Sequence, residues 1–166
     1  MPYKQFLDMQ LRLKNIVEEA ICAFNANELY LVENDVSERC ICAKFAVYLS
    51  EILKYTEYRE YDVDVEYNRG NRGDQRHAKK LLDKPITVDL IVHRRGYDPI
   101  RGFDNLICIE MKKSTDRRGC TSDEDRLDKM TDPCYGFCYR TGFMIVINMK
   151  KPYLGLEIKR SFPSYG

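Results

Sequence analysis

Three side chains in the middle of the chain have the types and spacing that phosphate chemistry asks for: Asp89, Glu110 and Lys112. The last two close an apolar run, Leu106-Ile107-Cys108-Ile109-Glu110-Met111-Lys112, that reads as a strand. Alternate side chains of a strand share a face, so the carboxylate and the ammonium point the same way, about 7 Å apart. Asp89 belongs to an earlier segment opened by Pro85, read as a strand with Ile86, Val88, Leu90 and Val92 on one face and Thr87, Asp89, Ile91 and His93 on the other. If the two strands pair through the turn-rich stretch 94–105, both acids converge on one divalent cation with Lys112 beside it. A hard cation prefers carboxylate, carbonyl and water oxygens, and it neutralises phosphodiester charge while acidifying a bound water. Asp89 and Glu110 are the expected carboxylate ligands and the Met111 carbonyl a further one. Lys112 is expected to orient or deprotonate the attacking water and to offset charge in the transition state, with burial lowering its pKa toward that task. The plain alternative is a surface ion pair of Glu110 with Lys112, worth about 0–1 kcal/mol.

Positioning these groups takes a sheet and the helices that cover it. Ser37 to Leu53 reads as a helix capped by Asp35 or Ser37, with Ile41, Phe45, Tyr48, Leu49 and Ile52 as its apolar face. Glu38 sits at the edge of that stripe and is the candidate third acid, or else a first-turn glutamate favoured by the helix dipole. Glu51 falls on the side of Lys44 and Lys54 and reads as solvated. Tyr61 to Tyr67 alternates Val63, Val65 and Tyr67 against Asp62, Asp64 and Glu66, as a half-buried strand does, and Glu66 is a reserve ligand. A short helix from Ser122 or Asp123 through Met130 turns Leu127 and Met130 to the core. Gly142 to Met149 is a nearly continuous apolar run, suited to a strand covered on both faces.

The acid of Asp89 followed by Glu110-Met111-Lys112 resembles the motif of the PD-(D/E)XK nuclease superfamily, with Pro85 standing earlier than the family proline and Val88 directly before the acid. The resemblance spans residues 37–149. It implies an α/β fold with a restriction-endonuclease-like αβββαβ core, a mixed central sheet flanked by helices. The order helix, three strands, helix, strand, read from periodicity alone, agrees with it. It also implies a Mg²⁺-dependent endonuclease, with Mn²⁺ able to substitute, that cleaves nucleic acid, DNA ahead of RNA, to 5′-phosphate and 3′-hydroxyl ends. Asp89, Glu110, Lys112 and Glu38 would be catalytic, and Asp89, Glu110 and Met111 would hold the metal. The alternative is a catalytically silent subunit of the same fold that binds nucleic acid or serves assembly.

A chain of 166 residues reads as one domain. Residues 1–30 form an N-terminal helical extension, 37–149 the catalytic core, and 150–166 a C-terminal strand, at Leu154 to Ile158, and tail. The extension places Leu7, Leu11, Leu13, Ile16, Val17, Ala20, Ile21 and Phe24 at mostly helical spacing and packs either on the sheet or on a second copy of the chain. The net charge of +1 excludes a globally polycationic binder, yet the charge is uneven. Residues 1–67 carry 7 Lys or Arg against 13 Asp or Glu, whereas residues 68–118 carry 13 against 7. The basic excess gathers in a Gly- and Asn-rich stretch read as a loop, where Arg69, Arg72, Arg76 and Lys79, with Lys113 after the motif, are the candidate nucleic-acid contacts. The plain reading of such a loop is a solvated, charged one. Seven cysteines in an odd number, without a CxxC pair, read as reduced thiols of a cytoplasmic protein. No apolar run is long enough to span a membrane.

Overall fold

The computed structural model describes residues 3–71, 74–78, 80–81, 84–96, 104–116 and 120–163. Helix α1 (Tyr3–Asn27) turns through α2 (Leu29–Glu33) into α3 (Glu38–Leu53). A five-stranded mixed sheet follows, ordered β1 (Asp62–Val65), β6 (Leu90–His93), β7 (Asn105–Lys113), β8 (Thr141–Asn148) and β9 (Gly155–Phe162). Neighbours are antiparallel except β7 and β8, which run parallel because α4 (Cys120–Thr131) carries the chain back between them. The chain is therefore α/β, with a mostly antiparallel mixed sheet between helices.

The segment expected to be a basic loop holds two small antiparallel ladders instead. One joins β2 (Arg69–Asn71) to β3 (Asp74–Ala78), and the other joins β4 (Lys80–Leu81) to β5 (Lys84–Pro85). Local hydrogen bonding satisfies backbone groups that the glycines and asparagines alone would leave to water.

Period-two patterning divides the sheet into two buried faces. Ile107, Ile109 and Met111 of β7 and Phe143, Ile145 and Ile147 of β8 pack beneath α1 and α3, against Leu13, Val17, Phe24, Ile41, Phe45 and Leu49. On the other face Cys108 and Met144 meet Leu127 and Met130 of α4, with Ile91, Tyr139 and Phe162. Helix α1 thus covers the sheet, one of the two roles its apolar stripe allowed. Among the described residues no helix is long and apolar enough to cross a membrane.

Two glycines stand where neighbouring side chains approach the sheet closely. At Gly142 a Cβ would stand 3.2 Å from the Cys108 sulfur of β7, a tight approach, and 3.4 Å from a Thr131 methyl at the end of α4, an ordinary contact. Gly155 opens β9 at φ +123°, and a Cβ there would fall 2.5 Å from Oδ1 of Asn25. That amide clamps the strand, accepting from Leu156 N at 2.8 Å and donating to Leu156 O at 3.0 Å. Pairing with β8 carries β9 through Phe162, four residues past its predicted end, since Ser161 and Phe162 stand opposite Phe143 and Gly142.

Gly155→Ala combines a disfavoured backbone conformation with a clash at the clamp, and should destabilise the protein by about 1–3 kcal/mol. Urea unfolding followed by circular dichroism measures it, and a midpoint equal to wild type would contradict the account.

Candidate active site

The site forms where β6 stops and β7 continues. The last ladder pair on this side is Leu90 with Ile109, leaving the next outward N–H groups of β7, on Met111 and Lys113, without a strand partner. Carboxylates take both. Asp89 Oδ2 accepts from Met111 N at 2.8 Å, and Glu38 Oε1 accepts from Lys113 N at 3.0 Å. Asp89 reaches its position because the strand predicted from residue 86 begins only at Leu90. Ile86 and Val88 pack on the α4 face with Ile91, while Leu90 and Val92 pack under α1 and α3, so the alternation slips by one residue at Asp89. The Asp89 carbonyl accepts from Glu66 N at 3.0 Å, which holds the bend in place.

Glu38 stands in the first turn of α3. The Ser37 hydroxyl caps that helix by accepting from Cys40 N, whereas Asp35 bonds the Lys113 ammonium at 2.6 Å. Of the two cysteines on this helix, Cys40 is exposed and Cys42 is buried. Burial pushes the Cys42 thiol up, and the nearby charges of Asp89, Glu110 and Glu66 push it further. Glu51 pairs with Lys54 in solvent as its helical position predicts.

Glu110 is buried on the α4 face. Burial first, and then the adjacent Asp89 carboxylate, which lies within hydrogen-bonding reach, raise its pKa well above the ordinary value of 4.5. The guanidinium of Arg126 from α4 contacts Glu110 Oε1 and lowers the pKa in part, without reversing the direction. Lys112, on the same face, lies 3.6 Å from Asp123 of α4. Its pKa corrects the expectation of a lysine tuned downward. Burial pulls it down, but Asp123, Glu38, Asp116 and Asp89 outweigh burial and raise it, so Lys112 is held as a cation.

Asp89 and Glu110 in mutual contact form a donor pair suited to a hard divalent cation. A residue's N–H and C=O in an extended strand face the same edge, so the Met111 carbonyl opens toward Asp89 as its N–H does. Among the described residues no three His, Cys, Asp or Glu side chains are gathered as a metal cage, and Glu38 is occupied with Lys113 N at the β7 edge. Mg²⁺ commonly binds through one or two carboxylates and keeps several waters, which a two-carboxylate site allows. Beside the acids lies a pocket of about 610 Å³ lined by Ser37, Glu38, Arg39, Val65, Glu66 and Asp89 among others. Glu66, the reserve ligand, leaves β1 with φ +51° and bonds Arg39 at 2.7 Å.

The predicted basic contacts divide. Lys113 is tied to Asp35, with its side chain 14% exposed. Arg69 and Arg76 lie on β2 and β3, with side chains outside the described structure, and Arg72 and Lys79 lie outside the described residues. At the far end of β6, His93 is buried and bonds Asp64 at 2.8 Å, so the acidic face of β1 carries an internal pair. Arg95 engages the same Asp64 and holds its carboxyl below the usual range. Sequence reasoning missed Arg126 and assigned Asp123 only to capping. The spacing of Asp123 to Leu127 and Met130, i, i+4 and i+7, would have put that acid on the buried face, with Arg126 one i+3 step away.

Compared with known proteins, the chain matches no family model, no curated protein and no solved structure.

The raised pKa of Glu110 carries a sign. The folded protein holds this proton more tightly than the unfolded chain, so the associated stability is complete below about pH 4.5 and is lost as pH rises through the folded value. Glu110→Gln keeps an acceptor for Arg126 and removes the titration. Its Tm relative to wild type should therefore rise with pH above 4.5, by on the order of a few degrees, in chelator-treated protein. Calorimetry across pH 4–8 checks this, and a pH-independent difference would contradict the burial account.

Proposed function

We propose that the protein is a divalent-metal-dependent nuclease built on a restriction-endonuclease-like core. The observation that carries the reading is the contact between Asp89 and Glu110, with Lys112 on the same strand face as Glu110. Further support comes from the element order α3, β1, β6, β7, α4, β8, with the first three strands antiparallel and the fourth parallel to β7, which agrees with the αβββαβ arrangement.

In this reading Asp89, Glu110 and the Met111 carbonyl hold Mg²⁺, or Mn²⁺ in its place. When bound, the cation supplies charge neutralisation at the non-bridging phosphate oxygens and acidifies a coordinated water. Lys112, cationic and partly buried, would orient an attacking water and offset charge developing on the phosphate, rather than act as the base. Glu38 fixes the β7 edge through Lys113 N, keeping the donors in register. Nucleic acid, DNA ahead of RNA, would run past the ladders β2–β3 and β4–β5, and the pocket bounded by Arg39 and Val65 offers room beside the scissile phosphate.

One observation favours a second reading, a subunit of this fold that binds nucleic acid without cutting it. Arg126 already neutralises Glu110, so the buried carboxylate has a counter-charge with no ion bound.

The deciding experiment incubates purified protein with single- and double-stranded DNA and RNA in Mg²⁺ or Mn²⁺. Cleavage is expected, with Asp89→Asn and Lys112→Ala each slowing it by about 10²-fold or more. Retarded migration of intact nucleic acid would support the silent subunit instead. Cleavage equal in both variants would mean that this site is not its source.

A further inference from the structure

Arg126 has three partners from three different parts of the fold. Its Nη1 contacts Glu110 Oε1 of β7 and donates to Thr87 O at 3.3 Å, two residues before Asp89. Its Nη2 donates to Asp123 Oδ1 at 3.1 Å, one turn back on its own helix. The guanidinium therefore bridges the bend that presents Asp89, the strand that presents Glu110, and the helix above both. Only one of these partners, Glu110, is also a candidate ligand for a divalent cation.

We propose that Arg126 is the internal counter-ion of the carboxylate pair, a positioning residue that holds Glu110 beside Asp89 in the ion-free protein and yields Glu110 when a divalent cation binds. The inference rests on the metal-dependent reading above and deepens it.

A carboxylate pair in contact is relieved by a proton or by a cation, and a planar guanidinium with several donors supplies the cation without closing the site permanently. Asp123 and the Thr87 carbonyl keep Arg126 anchored after Glu110 turns away, so release breaks one contact of three. The freed N–H groups then form a planar fork suited to a phosphate oxygen, the anion that a guanidinium matches best. Metal loading and phosphate binding become linked: the ion takes the carboxylate and so frees the arginine for substrate. The same geometry makes Arg126 a competitor of the ion for Glu110. It sets the cation concentration at which the site fills.

Competition predicts a gain of affinity on removing the arginine. Isothermal titration of Mn²⁺ alone into chelator-treated protein should show Arg126→Gln binding the ion roughly tenfold more tightly than wild type, with Arg126→Lys, which keeps a competing charge, within a few-fold of wild type. A variant that is merely loosened or partly unfolded binds more weakly, so the direction of the change separates counter-ion from structural brace. Equal or weaker Mn²⁺ binding by Arg126→Gln overturns the counter-ion role, while the metal site itself survives if wild-type binding is still lost in Asp89→Asn. Absence of Mn²⁺ binding in wild type and Arg126→Gln alike, at millimolar ion, overturns both.

Discussion

Everything at the candidate site depends on a mismatch of strand length. Strand β7 outlasts β6 at the edge they share, and two backbone N–H groups that a longer partner would have paired are received by acids instead. A backbone donor left unmet in a half-buried place costs about 1–3 kcal/mol. The fold therefore has reason to draw Asp89 and Glu38 to positions one strand repeat apart. Folding energy, and not a ligand, holds these carboxylates ready. Because the pleat sends Glu110 to the α4 side, it meets the Asp89 carboxylate there, where Arg126 and Lys112 supply opposite charge.

The two faces of β7 share the labour. Ile107, Ile109 and Met111 bind the strand to α1 and α3 and keep it rigid, while Cys108 anchors the α4 face only at its inner end. Past Cys108 that face changes from packing to charge, and α4 changes with it, from Leu127 and Met130 to Asp123 and Arg126. A helix laid along a strand can thus serve as core at one end and as electrostatic lining at the other. The cost is a buried carboxylate whose ionisation works against the folded state.

Much of this arrangement was legible in the residues because it follows strong periodic signals. The faces of α3, β7 and α4, the doubly covered β8, the solvated Glu51 and the direction of Glu110 all come from simple spacing. The rest required three-dimensional information. The slip at Asp89 leaves an unbroken alternation on paper, since Ile86, Val88, Leu90 and Val92 are all apolar whichever face they take. The basic stretch paired with itself because a hairpin needs few apolar residues. Lys113 could not be known to bond Asp35, nor His93 to bond Asp64, since each pair joins segments far apart in the chain. The pKa of Lys112 was misjudged for a related reason: burial was anticipated, but Asp123 and Asp116 arrive from beyond β7 and reverse its effect.

The missing side chain at Gly142 bears on the strand beside it. A methyl there would press on the Cys108 sulfur at 3.2 Å, closer than side chains ordinarily approach, so the bare hydrogen leaves that thiol its seat between β7 and β8. Cys108 lies two residues before Glu110 on the same face and is the last apolar side chain there before the charges begin. The strand thus passes from close-packed contact to an ion pair within a single repeat, a boundary as narrow as the pleat itself.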